Sequence, residues 1–98
     1  MKREYMTLVN SLLKAYHFKA ENLRTAHALA DEVRTFSLND YAFRLTIGLD
    51  GLHSAAQAAG DYDNAQELEQ LVTQCNNGHI PQTVEIPGAL KTILRYRN

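Results

Sequence analysis

The sequence predicts an all-α fold: a small bundle of four to five helices, with an antiparallel helical hairpin and a short extended segment before a C-terminal helix. Three observations carry that expectation. Ala and Leu together number 25, against 8 for Val and Ile. Unbranched and small side chains lose little freedom in a helix, whereas β-branched ones favour strands. No Gly or Pro occurs before Gly48, and both prolines, Pro81 and Pro87, fall in the last fifth of the chain. Apolar residues also recur at three- and four-residue steps through most of the first three quarters. At 98 residues the chain fits one helical domain, 1–98.

The first predicted helix starts near Arg3. Tyr5, Leu8, Val9, Leu12, Leu13 and Tyr16 form its apolar stripe, with Lys2, Arg3, Asn10, Lys14 and Lys19 between them. Phe18 lies off the stripe. A second stripe runs through Leu23, Ala26, Ala30 and Val33, with Phe36 beyond. Asn22 is a candidate N-cap for it. The same positions also continue one heptad register broken only by Lys19. One long helix that self-associates along a coiled-coil seam is therefore the alternative. The scarcity of such helices in small domains favours two.

Ser37-Leu38-Asn39-Asp40 approximates a capping box and predicts a helix boundary. The next stripe is Leu38, Tyr41, Leu45, Gly48, Leu52, Ala55 and Ala59, widened by Ile47, Leu49 and Ala56. Gly48 and Gly51 each cost a helix about 1 kcal/mol relative to Ala. Close approach of a neighbouring helix along a track of small residues would explain them, and a kink is the competing reading. Gly60 suits the left-handed position that ends a helix, and Asp61 suits the N-cap of the next. Ala65, Leu68, Leu71, Val72 and Cys75 then form a stripe ending at Asn76-Asn77-Gly78. Ile80-Pro81 and Ile86-Pro87 force extended backbone before each proline. The stretch from Ile80 to Ile86 reads as a short strand or a strap over the bundle. Pro87 is placed to open a last helix with Leu90, Ile93 and Leu94 on its apolar face.

The segment Ala58-Ala59-Gly60-Asp61-Tyr62-Asp63-Asn64-Ala65 resembles the turn of a tetratricopeptide repeat, one unit covering about residues 45–78. That resemblance implies an antiparallel helical hairpin. No second copy repeats at a 34-residue period, and solenoids need about three units. The likeness therefore supports the hairpin and implies no peptide groove.

Composition narrows the function classes. Ten basic and eleven acidic residues give a net charge of −1, which announces no nucleic-acid binder. The charge is segregated, however. Residues 1–35 carry six basic and four acidic groups (+2), residues 36–78 carry Arg44 against six acids (−5), and residues 79–98 carry three basic groups against one acid (+2). A single cysteine, Cys75, permits no internal disulfide and points to a cytoplasmic location. Met1-Lys2-Arg3 resembles the start of a signal peptide, but Asn10, Ser11 and Lys14 interrupt the apolar stretch after it. No run approaches the ~20 apolar residues of a membrane span.

Catalysis and metal binding find little support. His17, His27, His53 and His79 have no ligand spacing, and one cysteine cannot build a usual zinc site. No nucleophile elbow or Gly-rich phosphate loop is present. The expectation is therefore no enzyme, no cofactor and no metal. The expected function is binding another protein, as adaptor, regulator or inhibitor, with homo-oligomerisation open. Asp61, Asp63 and Glu67 on the acidic hairpin and Arg95, Tyr96 and Arg97 at the basic end are the candidate partner-binding residues. Two alternatives come from other classes. One is a nucleic-acid-associated regulator using the basic ends. The other is a small-ligand binder at an oligomer interface.

Overall fold

The computed structural model describes residues 1–84, and three helices account for most of them. They are α1 (Arg3–Arg24), α2 (Asp31–Ala58) and α3 (Tyr62–Asn76). The described part is all-helical, with three helices where the sequence predicts four to five, and no strand is present among the described residues. The expected C-terminal helix lies outside them.

The difference in number comes from α2. The expected boundary at Ser37–Asp40 does not exist, because the helix runs straight through it for 28 residues, about 42 Å. Asp40 does not close a capping box. Its carboxylate instead accepts a hydrogen bond from Arg44 Nε, one turn on, at 2.9 Å. The true break lies upstream, at Thr25–Ala30, and not at Asn22, which stays inside α1. Leu23, Ala26, Ala30 and Val33 are thus not one helical stripe: Leu23 lies in the last turn of α1, Ala26 and Ala30 are in the connection, and Val33 lies in the first turn of α2.

Nothing in 25–30 is Gly or Pro, so another device must satisfy the carbonyls left open at the end of α1. Arg34 supplies it. Its Nε donates to Leu23 O at 3.0 Å, and its Nη2 donates to Ala26 O at 2.7 Å and to Leu29 O at 3.3 Å. Nη1 meanwhile pairs with Asp31 at 2.8 Å. One guanidinium therefore holds the corner and orients the start of α2. Asp31 and Glu32 in that first turn also suit the helix dipole.

The other two helix ends use glycine, as the sequence predicts. Gly60 and Gly78 have φ of 79° and 87°. At the first, Asp61 N–H donates to Ala56 O and Gly60 N–H to Gln57 O; at the second, His79 N–H donates to Gln74 O and Gly78 N–H to Cys75 O. This is the paired Schellman pattern at both ends. The first turn folds α3 back on α2, which gives the expected hairpin.

The core is built from Val9 and Leu13 of α1, Leu45, Leu49 and Ala56 of α2, and Ala65, Leu68, Leu71 and Cys75 of α3. Met6 and Ala20 are buried along α1 as well, while Leu8, expected in its stripe, is half exposed. Ala55 and Ala59 face solvent, so the small-residue track is shorter than expected. Gly48 does mark a close approach. A Cβ there would lie 3.2 Å from Leu12 Cδ1, whereas Gly51 has open space around it. After Gly78 the described residues 79–84 form no helix and lie against the bundle, while Glu85 and Ile86 of the expected strap lie outside them. Ile80 and Val84 pack on the core. Asn10 clamps the strap by donating to Val84 O at 2.7 Å and accepting from Val84 N–H at 2.6 Å. His17 Nε2 donates to Pro81 O at 2.8 Å.

Candidate functional site

Of the acidic candidates, Asp61 and Glu67 take part in a clasp between the start of α1 and the start of α3. Lys2 Nζ and the Tyr5 hydroxyl donate to the two oxygens of Asp61 at 2.9 and 2.5 Å. The Lys2 N–H donates to the buried Asn64 Oδ1 at 2.7 Å. The Met1 amino group pairs with Glu67 at 2.7 Å. Asp61 sits at the N-cap position of α3, yet its side chain makes no cap hydrogen bond. Its carboxyl is held below the usual carboxylate range by the hydrogen bonds from Lys2 and Tyr5. The same carboxylate raises the Lys2 and Tyr5 values. Asp63 faces solvent in the first turn of α3. The structure thus brings Asp61 and Glu67 onto one clasp and leaves Asp63 beside it. Arg95, Tyr96 and Arg97 lie outside the described residues.

Cys75 is buried in the core, and that burial pushes its thiol up. Among the described residues no three His, Cys, Asp or Glu side chains gather to hold a metal ion. No helix among them is long and apolar enough to cross a membrane.

The surface that stands out is on α2. Its buried residues, Leu45, Leu49 and Ala56, share one face with half-buried Leu38, Tyr41 and Leu52. Val33, Phe36, Phe43 and Ile47 project from the opposite face, with exposures of 49%, 74%, 63% and 55%. At 100° per residue these four fall within a stripe about 80° wide. Asp40 and Arg44 lie along it, between Phe36 and Ile47. Small proteins expose single apolar side chains freely, but four large ones on one helix face, interrupted by a single ion pair, mark a candidate interaction surface.

A helix boundary at Ser37–Asp40 puts Val33 and Phe36 in one stripe and Ile47 in another. With the helix uninterrupted, the spacing 33, 36, 43, 47 becomes one row. The signal in the sequence is an α2 apolar on two opposite faces. Comparison with protein-family models, with curated proteins and with solved structures gave no match to this chain.

Proposed function

We propose that this protein works by binding protein, as an adaptor, regulator or inhibitor, and not by catalysis. The observation that supports the reading is the row of Val33, Phe36, Phe43 and Ile47, which the chain's own core does not use. Phenylalanine at the centre of a contact gives large burial for little entropy loss. The acidic α2–α3 region adds long-range steering. Asp50, Asp63 and Glu69 are exposed there, a charge pattern suited to a basic partner surface.

The test is affinity capture from host cells with mass spectrometry, run with the wild type and with Phe36→Glu/Phe43→Glu. A stoichiometric protein, retained by the wild type and lost from the variant, is the expected result. Retention of nucleic acid alone, or turnover of a substrate by the purified chain, overturns the reading.

A further inference from the structure

We infer that the occupant of the exposed α2 face is a second copy of this chain, packed with its α2 antiparallel to the first. The inference rests on the reading that this face binds protein, and it names the partner.

Symmetry and charge carry the argument. A two-fold contact requires a self-complementary patch. Asp40 and Arg44 lie two positions either side of Ala42. An antiparallel pair centred at Ala42 sets Asp40 beside Arg44 of the second copy, and Arg44 beside its Asp40. The same centre brings Phe36 alongside Ile47 of the second copy, the two Phe43 rings together, and Val33 over Gly51. A parallel pairing would instead set Asp40 against Asp40 and Arg44 against Arg44, which like-charge repulsion opposes. The Arg44 and Asp40 side chains are 72% and 37% exposed, so both can reach a neighbour while keeping their own 2.9 Å pairing.

The area is of the right order. An aromatic side chain buries about 150–250 Å², so the exposed parts of Phe36 and Phe43 alone offer roughly 200–300 Å² per copy. Val33 and Ile47, with the polar rim, extend this toward the ~800 Å² per partner of a stable pair. The open space at Gly51, where no atom lies within 4 Å of a Cβ, gives Val33 room to approach.

Sedimentation velocity of the purified full chain over a concentration series is the test, with circular dichroism as the folding control. The expected result is a dimer that Phe43→Glu weakens on the order of a hundredfold or more, with unchanged helix content. Asp40→Lys and Arg44→Glu each weaken it on the order of tenfold. The double variant Asp40→Lys/Arg44→Glu restores the dimer, which a parallel pairing would not favour over the wild type. In a disulfide test, Asp40→Cys and Arg44→Cys cross-link when mixed and not alone.

A wild type that sediments as a monomer throughout overturns the homodimer. If Phe43→Glu still abolishes capture of another protein in that case, the protein-binding reading stands without it. A dimer indifferent to Phe43→Glu and to both charge reversals overturns the inference, and the face leaves the binding reading as well if Phe43→Glu also leaves capture of another protein unchanged.

Discussion

The two halves of α2 are built from similar residues and meet different fates. From Leu45 to Ala58, Leu45, Leu49 and Ala56 are buried under α1 and α3. From Asp31 to Arg44 no residue is buried, although Val33, Phe36, Leu38, Tyr41 and Phe43 are as apolar as anything downstream. The cause is tertiary. The Gly60 turn returns α3 alongside the C-terminal half only, since α3 has 15 residues against 28 in α2. Among the described residues, the N-terminal half keeps α1 on one side and has nothing packed on the other. Apolar periodicity thus tells that a face will be covered, and topology decides whether the cover comes from the same chain.

The sharpest way to break this comparison is to truncate one large side chain in each half. Leu49→Ala, at a fully buried site, should cost about 2–5 kcal/mol of folding stability in urea unfolding. Phe36→Ala, at 74% exposure, should change the stability of the dilute protein by less than about 0.5 kcal/mol. Equal costs would show that the two halves are not distinct.

The corner that separates α1 from α2 comes next. Arg34→Ala removes charged hydrogen bonds to Leu23, Ala26 and Leu29 carbonyls, and should cost about 1.5–3 kcal/mol. Arg34→Lys cannot reproduce the fork and should recover only part of that loss. Amide exchange should speed up first in 23–34 and leave the Gly60 turn unchanged.

The clasp gives a pH signature on the well-packed side. The folded Asp61 carboxyl titrates below its ordinary 3.8, so its contribution to stability is present above that value and is lost as pH falls through the folded value. Lys2 and Tyr5 are shifted upward, so their contributions hold below their ordinary values and fade as pH rises through the folded ones. Asp61→Asn should remove the acid dependence and weaken the alkaline one, where burial still raises Tyr5. Stability curves of wild type and variant that run parallel in acid would contradict the clasp.

The smallest effect separates two glycines one turn apart. Gly51→Ala meets open space and should stabilise α2 by about 0.5–1 kcal/mol in the dilute protein. At Gly48 the new methyl crowds Leu12 at 3.2 and 3.3 Å, which should cancel most or all of that gain. Matching gains in thermal unfolding would mean that α1 does not press on α2 there.

These residues also show how much of the molecule is legible in its sequence. The all-α class, the Gly60 and Gly78 helix ends and the α3 stripe come from local chemistry, which a sequence carries openly. The Thr25–Ala30 corner is not legible, because its stop signal is an arginine that returns from the next helix. The Ser37–Asp40 boundary misleads for the converse reason: a capping pattern means little when its acid has an arginine one turn ahead. The Asp61 clasp is hidden too, since Lys2 and Tyr5 are distant in sequence. Asp61 can be placed at the head of α3, but not its partners. The exposed row on α2 is written in the spacing of Val33, Phe36, Phe43 and Ile47, and becomes readable only when the helix is whole.

Hydrogen exchange along α2, measured on dilute and on concentrated protein, tests the division of that helix most directly. The account predicts that in dilute protein amides from 45 to 58 exchange slowly, governed by the intramolecular core, while amides from 33 to 44 exchange faster, and that concentration slows the 33–44 amides by the larger factor. Uniform protection along the whole helix, unchanged by concentration, would contradict it.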